Sequence, residues 1–185
     1  MNKKRCSWAE DVDDVYVEYH DKEWGVPTYD DRELFEMLVL ESFQAGLAWI
    51  TILKKRENFR NSFDNFDVRK VANYDEDKIE ELRNDKGIIR HKGKINAAIN
   101  NANIFIEIQE EFGSFSNYIW HFTDNQILKD SEENYQTNSP LSNQIAKDLK
   151  ERGMKFVGTT IIYSYLESIG IINNHIHECF RYTEL

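Results

Sequence analysis

The residues best placed to do chemistry lie in E-S-F-Q-A-G-L-A-W-I-T-I-L-K-K-R, running from Glu41 to Arg56. A carboxylate, Glu41, and an indole, Trp49, flank a glycine break at Gly46. A carboxylate at the end of one helix and an indole just past the turn can face the same cavity, with Gly46 and Leu47 exposed at its mouth. The plainer alternative makes Glu41 a solvated helix residue and Trp49 a core residue.

A second stretch, G-M-K-F-V-G-T-T-I, sets Phe156 and Val157 before Gly158 and then Thr159 at a helix start. Glycine at a helix N-terminus lets a phosphate approach the backbone N–H groups, and the helix dipole favours an anion there. Lys155 adds charge beside it. This is a helix-hairpin-helix pattern, although a glycine before threonine also begins many ordinary helices. A third set is metal-ligating. Cys6 lies near His20 at one end of the chain, while His175 and Cys179 stand four apart at the other, a spacing that puts both on one helical face. Two Cys and two His complete a closed tetrahedral zinc site with no open catalytic position. A Cys6–Cys179 disulfide and two unrelated buried thiols are the competing readings.

The elements that must position these groups are helical. Asp30 followed by Glu33 gives a capping-box start, and Leu34, Phe35, Leu38 and Val39 form a stripe running toward Glu41. Leu47, Trp49, Ile50 and Leu53 resume the period. Residues 1–29 read as irregular structure with one short helix, heavily loaded with aromatics, Tyr16 and Trp24 among them. Asp67 and Asp75 cap short helices. Ile95 to Gln109 trace a long amphipathic helix closed by Gly113, and Ser114 or Ser116 caps the next. Residues 123–138 read as an exposed loop. Ser139-Pro140 starts a helix that ends before Gly153, and Thr159 to Ser168 forms the last one, stopped by Gly170. Strand alternation, repeats and linkers are not evident, so the expectation is one all-α domain over residues 1–185.

Composition bounds the function. The 185 residues are 41% hydrophobic and 13% aromatic with two Pro, which describes a folded chain. No run approaches the roughly 18 apolar residues of a membrane span, and the N-terminus lacks a signal-peptide apolar segment, so a cytoplasmic protein is expected. A net charge of −10 argues against bulk electrostatic coating of nucleic acid. Positive charge is local instead: Arg83, Lys86, Arg90, Lys92 and Lys94 in one segment, and Lys147 to Lys155 in another. Acidic residues gather at Glu10 to Asp14, Asp75 to Glu81 and Asp130 to Glu133.

Taken together, R-C-S-W, Y-H-D-K-E-W-G-V-P, L-E-S-F-Q-A-G-L-A-W-I-T-I-L-K-K-R, G-I-I-R-H-K-G-K, K-F-V-G-T-T and N-N-H-x-x-x-C resemble, in order and spacing, the 3-methyladenine DNA glycosylase I family. The match runs from Cys6 to Cys179. It implies a helix-hairpin-helix glycosylase fold, with residues 1–29 and 171–185 tied into a terminal subdomain by structural zinc on Cys6, His20, His175 and Cys179. His177 and Glu178 rank lower as ligands. The resemblance implies a base pocket of Trp8, Tyr19, Trp49 and Glu41, with Glu41 also the candidate catalytic group and Trp24 touching the base or supporting the wall. It implies phosphate contacts through Val157, Gly158 and Thr159 beside Lys155, a wedge at Gly46-Leu47, and further contacts from Arg90, Lys92 and Lys94 unless that segment merely caps a helix. The implied partner is alkylated duplex DNA and the implied state a monomer. The implied activity is hydrolytic release of 3-methyladenine without strand cleavage, because no pocket lysine is implied. Many superfamily relatives carry an Asp two residues before the histidine, where this chain has Asn173. A binding module without chemistry and a zinc hydrolase of small molecules are the alternative classes.

Overall fold

The computed structural model describes residues 3–129 and 136–185. Ten helices follow in order: α1 Asp14–Lys22, α2 Asp31–Gln44, α3 Trp49–Leu53, α4 Arg56–Ser62, α5 Val68–Ala72, α6 Glu76–Asn84, α7 Lys92–Phe112, α8 Phe115–His121, α9 Pro140–Glu151 and α10 Thr159–Ser168. A 3-10 turn, Ser7–Ala9, precedes α1, and a second, Asp64–Phe66, follows α4.

Helix α2 is the axis of the fold. The Asp30 side chain accepts the Glu33 backbone N–H at 3.0 Å, which fixes its start. From Leu34 to Phe43 every residue is buried, so α2 is enclosed by α3, α7, α8 and α10. Such burial traps Glu36, which is held by Arg32 at 2.9 Å, Arg56 at 2.6 Å and Arg60 at 2.8 Å. Burial alone would raise the Glu36 pKa, but the two guanidiniums of Arg56 and Arg60 reverse this and hold it low.

The segment between Arg56 and Asp67, which no periodicity above covers, forms α4 and the 3-10 turn. Phe59, Phe63 and Phe66 from it are fully buried and stack in sequence at 5.9 and 5.8 Å. Asp67 and Asp75 cap α5 and α6 as expected. Gly113 ends α7 in the left-handed conformation, and Ser114 caps α8. A full capping box with Ser142 begins α9 at Ser139.

The expected exposed loop after residue 122 is corrected in part. Thr123 is buried, and Leu128–Lys129 (β1) pairs in parallel with Ile172–Asn173 (β2), joining the loop to the C-terminal segment. A two-residue ladder leaves no alternation to read. Residues 130–135 of that loop lie outside the described residues. Among the described residues, no helix is long and apolar enough to cross a membrane.

Candidate active site

The end of α2, the turn after it and one face of α1 converge on Glu41. Its side chain sits 4% exposed on a buried helix face. No hydrogen-bond donor and no cation among the described residues meets its carboxylate. Burial, with the neighbouring negative charge of Glu167 on α10, pushes its pKa well above the ordinary glutamate range. Burial raises the pKa values of Tyr16, Tyr19 and Tyr165, and negative charge at Glu41 adds to the shift in each, so the carboxyl and these phenols are electrostatically linked. Tyr19 is buried and its ring lies 5.6 Å from that of Trp49, tilted. The Trp49 Nε1 is also buried and has no acceptor among the described residues. A carboxyl that a cation can ionise and an N–H donor, neither with a partner among the described residues and with aromatic rings beside them, suit a planar cationic ligand with polar edges.

Tyr16 belongs to this group and was not among the pocket residues expected. The signal was available, because Tyr16 and Tyr19 are three apart on α1 and so share a face. Trp8 reaches the site through Tyr16, at 5.2 Å between ring centroids. Trp24 packs edge-on against Trp8 at 4.9 Å and against His175 at 4.5 Å, a position that braces the wall.

Gly46 adopts a left-handed φ of +80°, with open space where a Cβ would stand, and Leu47 is 37% exposed. The Gln44 side chain donates to the Leu47 carbonyl at 2.6 Å, which shapes this turn. The expected role of Lys94 on DNA is corrected. Its Nζ is buried and donates to the Phe43 carbonyl at 2.8 Å and the Ala45 carbonyl at 2.6 Å, closing the C-terminus of α2. The last carbonyls of a helix lack helical partners, and a cation can satisfy some of them, here two, while matching the dipole. Arg90 and Lys92 are exposed, with no ion pair among the described residues.

In the hairpin between α9 and α10, Lys155 is exposed and Val157 buried. Gly158 precedes α10 in extended backbone, again with open space at its Cβ position. Thr159 is tied to α9 through Ser142 at 2.9 Å and Asn143 at 2.6 Å.

Cys6, His20 and Cys179 bring their ligand atoms within 4.8 Å of one another, close enough to bind a metal, and both cysteines are free thiols. The His175 ring centroid lies 5.1 Å from that of His20. His175 and Cys179 do not share a helix, because residues 174–180 form turns and irregular backbone. The Asn173 Oδ1 accepts the His175 backbone N–H at 3.2 Å and is 2.9 Å from Nδ1, which assigns the ring hydrogen to Nδ1. The Nε2 lone pair is thereby freed, and Nε2 is buried without a hydrogen-bond partner among the described residues. Burial, with His20 and Arg181 nearby, pushes the His175 pKa down to about 3, so the ring is neutral. Asp21 likewise holds the His20 Nδ1 at 2.9 Å. Burial pushes the Cys6 thiol up to about 12, with Cys179 beside it adding to the shift. Two soft sulfurs and the His20 imidazole, oriented by Asp21, form a three-residue cluster whose chemistry suits a metal such as zinc, while the expected fourth ligand, His175, lies outside that cluster and beside His20. His177 and Glu178 point to the exterior and drop out. Gly25, at φ +78°, leaves His175 room, since a Cβ there would meet its Cε1 at 2.8 Å.

The sequence pattern of the methyladenine glycosylase family matches residues 8–182. DNA-3-methyladenine glycosylase 1 of Escherichia coli is 44% identical over 182 residues, covering 97% of each chain. A crystal structure of 3-methyladenine DNA glycosylase I superposes with a TM-score of 0.91 at 47% identity, covering 96% of this chain and 98% of the other. A Tyr-to-Phe variant of 3-methyladenine DNA glycosylase I, in complex with 3-methyladenine, gives 0.91 at 35% identity over 95% and 96% of the two chains. The chain therefore belongs to the methyladenine glycosylase family, and with it to the hydrolases of N-glycosyl bonds.

Proposed function

We propose that this protein excises 3-methyladenine from alkylated duplex DNA by hydrolysis, without cleaving the strand, and acts as a monomer. The observation that carries the reading is Glu41, a buried carboxylate with no donor or cation among the described residues, electrostatically linked to Tyr16 and to Tyr19, whose ring lies 5.6 Å from that of Trp49. Adenine methylated at N3 is a cation in DNA. Coulomb attraction to Glu41 and the negative faces of the aromatic rings favour it over neutral adenine, and a dry site magnifies both effects. As the cation enters, Glu41 ionises and its proton passes to solvent.

The chemistry needs little more. Positive charge on the base weakens the bond from the sugar C1′ to N9. When that bond breaks, its electron pair returns to N9 and leaves a neutral base. A water oxygen then bonds to C1′ and loses a proton to solvent. Ionised Glu41 stabilises the sugar cation that develops on the way. Asn173 takes no part in activating water, because its Oδ1 is committed to His175.

Extrusion of the base opens a gap in the stack, and Leu47 beyond Gly46 is the residue exposed to fill it. Backbone N–H groups at Val157, Gly158 and Thr159 hold one phosphate, with Lys155, Arg90 and Lys92 supplying charge around it. Cys6, His20, His175 and Cys179 would hold a structural zinc, which would join residues 1–29 to 171–185. Bound there, it would supply charge to offset the thiolates, and the four residues would then fix the backbone that carries Trp8 and Tyr19.

The decisive test is release of free base from methylated duplex DNA by the wild type and Glu41→Gln at one salt concentration. Release of 3-methyladenine, with the variant slowed by roughly 10²-fold or more, is expected from loss of the charge. Full activity in the variant would remove Glu41 from the mechanism, and inactivity of zinc-loaded wild type would leave a binding module.

A further inference from the structure

Phe156 is expensive where it sits. Its φ of +55° is in the left-handed region, where a bulky side chain is strained, and its ring is 38% exposed. Glycine would remove both penalties, so fold stability does not account for a phenyl ring at this place. The backbone around it is held firmly nonetheless. Ser42 Oγ, from α2, donates to the Phe156 carbonyl at 3.2 Å. Asn101, on α7, accepts the Lys155 N–H and donates to the Lys155 carbonyl, both at 2.8 Å. The ring stands edge-on to His91 at 6.3 Å and walls a groove of about 420 Å³ with Gly93, Asn96, Ala97, Asn100 and Lys155. That groove has no acidic lining residue, and Lys92 and Lys155 stand exposed beside it.

We propose that Phe156 is a DNA-positioning residue whose ring packs on the deoxyribose adjoining the phosphate held at residues 157–159. The inference rests on the proposed function. Its occupant is the sugar-phosphate backbone of duplex DNA, argued from charge: the groove is flanked by cations, and the deoxyribose is the apolar surface that lies between phosphates. An aromatic ring there is indifferent to sequence, as a repair enzyme scanning for damage requires. It also supplies affinity that a chain of net charge −10 cannot draw from bulk attraction.

The test compares Phe156→Gly, Phe156→Ala and Phe156→Tyr in three measurements: thermal melting, binding of free 3-methyladenine, and kcat and KM on methylated duplex DNA. Phe156→Gly is expected to melt at or above the wild type, and Phe156→Ala below Phe156→Gly because it keeps the strained Cβ. Both should bind the free base as the wild type does, with KM for duplex raised about tenfold and kcat within about twofold. Phe156→Tyr should restore KM. The salt slope of duplex binding should not change, whereas Lys155→Ala should lower it by about one. Wild-type KM in Phe156→Gly would overturn the proposal, as would loss of free-base binding in step with duplex binding. If the wild type itself releases no base from duplex, the function and the proposal fall together, which is a different outcome from a silent Phe156 in an active enzyme.

Discussion

Burial takes Glu41 out of water and, among the described residues, returns neither a donor nor a cation, so its charged form is disfavoured in the folded chain. Its pKa is raised in the native state from an ordinary value of 4.5. Across the interval between those two values the native state binds more protons than the unfolded chain, and stability falls as pH rises. Glutamine does not titrate. Glu41→Gln should therefore be more stable than the wild type at pH 8, with the gap closing as the pH falls toward the ordinary glutamate range. Urea unfolding of both proteins at several pH values reads this directly, and a gap that ignores pH would mean that the carboxyl is not held as described. The same residue that slows base release when replaced should thus raise stability, a trade expected of a group kept for a ligand. Trp49 belongs to the same case, its buried Nε1 having no acceptor among the described residues.

At the scale of elements, the pocket depends on where α2 stops. Lys94, from the first turn of α7, satisfies two carbonyls at the α2 terminus and so fixes the turn that carries Gly46 and Leu47. Lys94→Met keeps most of the stem volume but leaves those carbonyls unpaired. It should cost about 2–3 kcal/mol by chemical unfolding and weaken duplex binding more than free-base binding. Unchanged stability would show that water replaces the ammonium without loss. The sequence made the helix–turn–helix around Gly46 legible, because a cap, an apolar stripe and a left-handed glycine are local signals. It did not reveal that a lysine in a basic segment turns inward, since that depends on packing α7 against the end of α2. For the same reason the N-H-x-x-x-C spacing read as a helical face, whereas the chain there makes turns. Spacing showed which residues could meet, and the tertiary contacts determined the backbone that brings them together. The stack of Phe59, Phe63 and Phe66 escaped notice because it spans a helix and a turn of three consecutive left-handed residues, Asp64 to Phe66, which no single period describes.

For the whole molecule, the two ends of the chain meet at the cluster of Cys6, His20 and Cys179, and the aromatics of the proposed pocket wall stand on that junction. The Phe180 N–H donates to the Lys4 carbonyl at 3.0 Å, and Arg5 pairs with Asp21 at 2.7 Å, which in turn orients His20. Tyr19 is the neighbour of His20 in α1, and Trp24 fills the space between Trp8 and His175. A metal bound by Cys6, His20, His175 and Cys179 would hold these aromatics without touching a substrate. The purified chain is therefore expected to carry one zinc, measured by elemental analysis, and Cys179→Ser to lose it. Removing it should cost about 3 kcal/mol, a fall in melting temperature of roughly 10 °C. Free 3-methyladenine should bind more weakly, since Trp8 and Tyr19 lose their support while Glu41 and Trp49, on α2 and α3, keep theirs. Readdition of zinc should restore both readings together. Zinc-free protein with unchanged melting and unchanged base binding would separate the junction from the pocket and leave the four ligands with no part in either.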